Sequence, residues 1–372
     1  MSRRARPLGG AIALSMGLSC CSPAAPITSS PPIAPSATPH AAMPGPAPDP
    51  SRGGTARPRA DIAAQNDACE RCHAAIAAEW RSSLHRGAHT DPIYQRALAI
   101  EPLAFCRGCH APEADPSADP PEALGALGVG CVSCHLAGNN VLAASTSSPR
   151  GPAPHPVLRD PRFGGPEACA GCHEFAFPDA ALRGRVELMQ STASEHRRSG
   201  FASTGCASCH MPETGGHRSH AFLGARDPAA MRAAAKVVAE RSGPSTVRLT
   251  IASAGVGHAL PTGDLFRRLE VSVEAEGPDH QVVSEARRYL TRHFQDERLP
   301  RGGIVRSVKR DDRPLDGPIV VELALGPEAA PFPIGYRLAY QRVEHPRSDR
   351  AEDALVEGEI ELASGVLPPL SR

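Results

Sequence analysis

The apolar and polar positions follow two different patterns along this chain. From about Ser245 onward they alternate in short runs separated by Gly, Pro and Asp, for example VRLTIASA, RRLEVSVEAEG, PIVVELALG and GYRLAYQRVEH. Alternation with a period of two, interrupted by turn residues, predicts β-strands. Several short strands at this spacing are typical of a β-sandwich, so we expect a β-sandwich domain over residues 245–365.

Residues 61–240 show helical periodicity in only three stretches. We predict helices over Ala68–His89, Arg183–Arg198 and Pro228–Arg241. The rest of this region is rich in Pro and Gly and poor in aromatic residues, which leaves too little apolar bulk for an ordinary core. The pattern therefore indicates a mainly α-helical and irregular domain whose interior is filled by something besides side chains.

Five copies of Cys-x-x-Cys-His run through this region, reading CERCH, CRGCH, CVSCH, CAGCH and CASCH. The pattern is the attachment site of c-type haem, in which two thiols bind the porphyrin and the following His binds the iron. Chance would supply about 0.02 such pentapeptides at this composition. Zinc sites, the alternative, need not place His directly after the second Cys. The cysteines are Cys69, Cys72, Cys106, Cys109, Cys131, Cys134, Cys169, Cys172, Cys206 and Cys209, and the proximal histidines are His73, His110, His135, His173 and His210.

These motifs predict five covalent haem c groups. The porphyrins would then serve as the core of residues 61–240, and folding should depend on haem insertion as it depends on metal in small metallo-domains. The expected fold is an α + β multidomain protein. A mainly α-helical and irregular multihaem domain, wrapped around five c-type haems, precedes the β-sandwich.

The N-terminus predicts export. Ten of the 12 cysteines belong to the motifs, which leaves Cys20 and Cys21. A basic segment with Arg3, Arg4 and Arg6 precedes a short apolar stretch that is too short to span a bilayer. The stretch ends in LSCC, which resembles a bacterial lipobox. We expect residues 1–21 to be a signal peptide with Cys20 or Cys21 lipidated, and simple secretion is the alternative.

Residues 22–60 are expected to form a tether between a membrane anchor and the folded part. They contain 11 Pro with many Ala and Ser, a composition typical of semi-rigid, partly polyproline spacers. A disordered tail without a role is the alternative. The exported protein would lie in the periplasm or on the outer surface. The charge balance of 40 basic and 40 acidic residues, without a basic patch, gives no reason to expect nucleic acid as a partner.

The sixth ligand of each iron determines its chemistry, because an empty position permits substrate binding. Only Met189, Met211 and Met231 lie in the folded part, and Met211 directly follows a proximal His. Ten further histidines are available there, which predicts mainly bis-His irons of low potential. These candidates are His85, His89, His155, His196, His217, His220, His258, His280, His293 and His345.

In the order of its motifs and the segments around them, the chain resembles the multihaem cytochrome c-552/4 family. The resemblance covers roughly residues 65–235 and rests on NDACERCH followed by EWRSSLH, then GVGCVSCH, PAPHPV before PEACAGCH, and MQSTASEHRRSG before GCASCHMP, with RSHAFLGARDP after it. The best known members are tetrahaem electron carriers of ammonia oxidation. The segment AGVGHALPTGDLFRRLEV resembles a GHxxPTG segment of multihaem cytochromes with a C-terminal β-domain, whose His reaches back to a haem. The fifth motif and the β-domain depart from the tetrahaem members.

The resemblance implies distal ligands at His85, His155, His196, His220 and His258. Each has an alternative. His89 shares a helical face with His85, and His217 competes with His220. His155 could be a rigid loop residue, His196 an exposed helix residue and His258 a turn residue. His280, His293 and His345 are expected at the surface. Arg267 and Arg268 are expected to meet either haem propionates or strand-edge acids.

Two functions follow from these patterns. Closed bis-His irons predict an electron carrier between periplasmic or cell-surface redox proteins, with a lipid anchor to the membrane. The alternative is an oxidoreductase that acts on nitrite, hydroxylamine or nitric oxide at one five-coordinate haem. Pentahaem nitrite reductases, the obvious comparison, typically mark that haem with Cys-x-x-Cys-Lys, and this sequence contains no such pentapeptide.

Overall fold

The computed structural model describes residues 62–137, 140–144, 154–177, 187–298 and 304–370. The predicted signal peptide, lipobox and tether lie outside these residues. Short helices and small strand pairs make up the N-terminal part of the described chain. No helix among the described residues is both long and apolar enough to cross a membrane.

The helices are α1 Ile62–Cys72, α2 Ala74–Arg81, α3 Pro92–Ile100, α4 Ala104–His110, α5 Glu122–Leu127, α6 Cys131–His135, α7 Pro166–His173, α8 Thr192–Arg198, α9 Cys206–His210 and α10 Pro228–Ala233. The short strands of this part are β1 Leu136–Ala137, β2 Asn140–Ala144, β3 Val157–Asp160, β4 Glu174–Ala176, β5 Leu188–Ser191, β6 Glu213–Thr214 and β7 His217–Arg218.

The two cysteines of each motif lie in the last turn of a helix. Both cysteines of a Cys-x-x-Cys segment lie on one side of such a turn, because residues three apart are neighbours on a helix. Four motifs end a helix at their His, and the first ends α1 at Cys72. The side-chain apolar core of this part is small. It consists of Ile62, Trp80, Ala111, Ala114, Leu124, Leu127 and Val132.

The remaining strands form a β-domain, residues 235–367, with two larger antiparallel sheets. These strands are β8 Ala235–Gly243, β9 Thr246–Ser253, β10 Arg267–Glu276, β11 Val282–Leu290, β12 Arg292–Arg298, β13 Ile304–Asp311, β14 Ile319–Ala324, β15 Ile334–Val343 and β16 Val356–Leu367. One sheet has the order β11-β10-β15-β16, the second has the order β14-β9-β8, and β12 pairs with β13.

Alternation along the strands explains the core of the β-domain. Val247, Leu249 and Ile251 of β9 are fully buried and share one apolar cluster with the inward residues of β10 and β15. The intervening residues of β9 are only partly buried. Side chains at every second position of a strand face the same side, so this pattern buries one face of each sheet. The expected fold class, a helical multihaem part followed by a β-domain, is confirmed.

The predicted helices were partly wrong. Helix α10 ends at Ala233 and the chain continues as β8, which pairs with β9 from Ala235 onward. The helix predicted for Pro228–Arg241 is therefore wrong beyond Ala233, because strand pairing overrides the helical preference of the Ala-rich segment. The stretch Ala68–His89 contains the end of α1 and the whole of α2, which ends at Arg81. Only α8 forms a helix in the described part of Arg183–Arg198.

Candidate haem centres

Four proximal histidines each face a predicted distal histidine. The distances between ring centroids are 6.5 Å for His73 and His155, 6.2 Å for His173 and His85, 6.1 Å for His135 and His220, and 6.1 Å for His210 and His258. The two members of each pair come from distant segments of the chain, and the fold brings them together.

This spacing fits an iron held between two imidazoles. A metal–imidazole bond of about 2.0 Å plus about 1.1 Å from the nitrogen to the ring centre, on both sides, gives roughly 6.2 Å between centroids. The ten motif cysteines are free, as thioether attachment requires. The residues present therefore fit haem c, with a proximal and a distal histidine for four of the irons.

Backbone carbonyls orient several of these imidazoles. A ring that donates Nδ1–H to a carbonyl keeps the lone pair of Nε2 for a metal. Contacts of this kind join Nδ1 of His110 to Ala88 at 2.7 Å, His135 to Leu142 at 2.8 Å, His210 to Leu223 at 2.7 Å, His220 to Arg218 at 2.8 Å and His258 to Ala259 at 3.0 Å.

Burial favours the neutral form of five of the facing imidazoles. Desolvation, with a smaller contribution from nearby histidines, lowers the pKa of His85 to about 4 and that of His173 to about 3. Desolvation also lowers the pKa of His135, His220 and His258. Neutral imidazole is the form that binds a metal, so these sites are ready for iron at neutral pH.

The second motif has a different environment. Among the described residues, no imidazole faces His110 at the axial spacing, and the Tyr94 ring stacks flat on the face of the His110 ring, with centroids 3.8 Å apart. His89 lies beside Tyr94, with centroids 5.6 Å apart. The Tyr94 hydroxyl, His89 Nδ1 and Arg107 Nε are buried there without a hydrogen-bond partner in the described chain. Polar atoms of this kind could face a bound group near the second motif.

His196, the fifth predicted distal ligand, is buried on α8 and faces none of the proximal histidines in the ring contacts of the described residues. It lies against Gly257, where an added Cβ would be 3.2 Å from its Cδ2 atom. Its role as a ligand stays a prediction.

The geometry favours His85 over His89, and His220 over His217. His85 and His220 each face a proximal histidine, whereas His217 contacts the Glu79 carboxylate at 3.0 Å. Glu79 also accepts a hydrogen bond from the backbone N–H of His220 at 2.8 Å. Iron ligation by His85 and His220 stays a prediction, as it does for His155 and His258.

The loop that carries His258 is held by a buried carboxylate. Glu195, on α8 and 1% exposed, accepts hydrogen bonds from Thr262 Oγ1 at 2.5 Å and from the Ala259 N–H at 3.2 Å. It also forms a 2.6 Å ion pair with Arg313, which donates to the Pro261 carbonyl at 2.7 Å. Sequence reasoning missed Glu195 and Arg313, because no spacing signal links residues 118 positions apart.

The predicted arginines of the β-domain meet protein groups. Arg267 donates to Asp264 and to the Tyr340 hydroxyl, at 3.1 and 3.3 Å. Arg268 donates to Gln341 at 2.8 Å and stacks 3.8 Å from the Tyr289 ring centroid. Arg267 therefore pairs with an acid of its own domain, as the strand-edge alternative expects, whereas these Arg268 contacts are with an amide and an aromatic ring.

Of the three histidines expected at the surface, His293 is buried. It is 6% exposed and contacts Asp312 Oδ1 at 2.9 Å. The expectation that His293 lies at the surface is wrong. The register between β12 and β13 shifts directly after this residue, and the His293 ring faces Asp312. His280 is exposed and His345 is partly buried.

The motifs contact one another in pairs. The Cys109 thiol interacts with the Cys172 thiol, and the Cys169 thiol interacts with the Cys206 thiol. The fourth motif therefore lies between the second and the fifth. Asn66 on α1 accepts a hydrogen bond from the Cys131 N–H at 2.8 Å, which joins the first motif helix to the third.

Comparisons with known proteins found one matching family and a similar fold. Residues 68–136, which contain the first three motifs, match the family described as cytochrome c554 and c-prime. The fold is similar to the crystal structure of a penta-heme cytochrome c552 from Thermochromatium tepidum, with a TM-score of 0.59 and 18% sequence identity. That alignment covers 79% of this chain and 97% of the other chain. No curated protein matches the sequence.

Proposed function

We propose that this chain, which is a multihaem cytochrome c with a C-terminal β-domain, carries five covalent haem c groups and passes electrons singly between periplasmic or cell-surface redox proteins. The four facing imidazole pairs are the observation that carries this proposal. An iron closed by two histidines has no free position for a substrate, so electron transfer is the chemistry left to it.

The contacts between motifs support the same function. Haem c supplies one-electron chemistry when it is bound. The chain holds the fourth motif beside the second, through Cys172 and Cys109, and beside the fifth, through Cys169 and Cys206. Neighbouring attachment sites suit the passage of electrons from one cofactor to the next.

The five motifs, and the name of the structural neighbour, support a count of five haems. Intact mass spectrometry of the denatured protein tests the count. We expect five haem increments on the mature chain. A fully matured sample with fewer increments would contradict the proposal.

Location is a separate part of the proposal. We propose that the protein is exported and lipid-anchored through Cys20 or Cys21, which lie outside the described residues. Palmitate labelling should mark the wild type, and the Cys20→Ala, Cys21→Ala double variant should lose the label. Wild-type protein that stays unlabelled and leaves cells with the soluble periplasm would contradict the anchor.

A second candidate function rests on the second motif. His110 faces no imidazole among the described residues, and three unpartnered polar atoms, from Tyr94, His89 and Arg107, lie nearby. An open iron at this motif would suit reduction or oxidation of a small nitrogen species such as nitrite, hydroxylamine or nitric oxide. Cyanide binding that removes one equivalent of high-spin signal would favour this candidate. A spectrum that ignores cyanide would leave electron transfer alone.

A further inference from the structure

Phe222 has an unusual backbone conformation. Its φ angle is +51°, in the left-handed region that bulky side chains rarely occupy. A residue stays in this region only when its surroundings impose it, and such residues concentrate at functional positions. Phe222 lies two residues after His220 and is half-buried.

The Phe222 ring lies between two predicted distal ligands. Its centroid is 4.2 Å from that of His85, with an angle of 81° between the planes. It is 5.7 Å from the centroid of His220, at 82°. Both contacts have the edge-to-face geometry that aromatic rings prefer. His85 faces the proximal histidine of the fourth motif, and His220 faces that of the third. Phe222 therefore contacts the ligands of two different centres.

Among the described residues, no hydrogen bond holds the His85 ring. The usual device for orienting a metal-binding imidazole is a hydrogen bond at its second nitrogen. His220 has this device, since its Nδ1 lies 2.8 Å from the Arg218 carbonyl. His85 Nδ1 is buried without a partner in the described part of the chain. The closest aromatic ring to His85 in the described contacts is Phe222.

We propose that Phe222 is a positioning residue that fixes the rotation of the His85 imidazole and couples it to His220. The inference rests on the proposed ligand roles of both histidines. The strained backbone holds the aromatic ring against His85, and the ring takes the place of the missing hydrogen bond. Because the orientation of axial imidazoles sets the resonance values of a low-spin iron, the electron paramagnetic resonance spectrum reports this role directly.

The experiment compares variants of the full holoprotein. His85→Ala first identifies the low-spin signal that belongs to the fourth motif, because that signal should become high-spin. Phe222→Leu and Phe222→Gly should then shift the same signal while five haems remain attached. Gly relieves the backbone strain and Leu keeps it, so a shift in both variants assigns the effect to the lost ring. Phe222→Tyr keeps the ring and should restore the wild-type signal.

Phe163 provides a matched control. Its ring lies 5.0 Å from that of His135, whose Nδ1 is already held by the Leu142 carbonyl. Phe163→Leu should leave the His135 centre unshifted. If His85→Ala converts a signal and the Phe222 variants leave that signal unchanged, the positioning role is wrong. If His85→Ala converts nothing, the ligand assignment itself is wrong. Should Phe222→Leu fail to assemble, Phe222→Met carries the same comparison.

Discussion

Replacing Arg313 with Met tests the buried contact between α8 and the His258 loop. The Arg313 and Glu195 side chains are 4% and 2% exposed, and their ion pair is 2.6 Å long. The substitution would leave the Glu195 carboxylate buried without its cation. Removing one partner of a buried pair typically costs about 3–5 kcal/mol, because an uncompensated charge remains in the interior.

The pKa of Glu195 gives an independent magnitude. Burial alone would raise it, but Arg313 and the hydrogen bonds of Thr262 and Ser191 lower it from 4.5 to about 2. That difference corresponds to roughly 3 kcal/mol in favour of the ionised carboxylate. Because the pKa of Glu195 is depressed in the folded state, its ionised carboxylate contributes its full stabilisation above the unfolded-state pKa near 4.5. This contribution disappears as the pH falls toward 2.

Denaturant unfolding of the holoprotein at pH 7 measures the loss. Arg313→Met should lower the unfolding free energy of the unit containing α8 by about 3 kcal/mol or more. Arg287→Met is the matched control, since the Arg287 and Glu285 side chains are 43% and 53% exposed and form a pair of the same 2.6 Å length. A surface pair of this kind is worth about 0–1 kcal/mol. Equal, small losses in the two variants would refute the reasoning.

Three further predictions concern Glu195, His258 and Asn66. The stability difference between wild type and Glu195→Gln should shrink as the pH falls from 5 to 2, and a constant difference in acid unfolding curves would contradict it. His258→Ala should convert one low-spin iron to high spin with all haems retained, whereas an unaltered resonance spectrum would reduce His258 to a turn residue. Asn66→Ala should cost about 1–3 kcal/mol in thermal or denaturant unfolding, because the Cys131 N–H loses a buried acceptor; an unchanged midpoint would argue against this.

The β-domain could be predicted from the sequence because its strands show simple alternation. Val247, Leu249 and Ile251 lie two apart and are all fully buried, as a period of two requires. The end of α10 at Ala233 could not be predicted in the same way. Whether the next residues form helix or strand depends on pairing with β9, which the local Ala-rich sequence does not reveal.

The candidate haem centres could be predicted less completely than the β-domain. Local spacing alone identifies the attachment motifs, because Cys, Cys and His act together within one helical turn. Pairing of His73 with His155, or of His210 with His258, depends on how distant segments pack, and the predicted set came from a family resemblance. The Glu195–Arg313 pair had no such guide. The environment of His110, on whose ring Tyr94 stacks, had no guide in the sequence either.

The spin state of the oxidised protein tests the central claim most directly. Four facing imidazole pairs should give four low-spin irons per molecule in low-temperature electron paramagnetic resonance. Added cyanide should leave these four signals unchanged, because neither axial position is open. The iron of the second motif is the one centre at which cyanide could bind. High-spin intensity from two or more irons, lost on cyanide addition, would contradict the account of a cytochrome built mainly from closed centres.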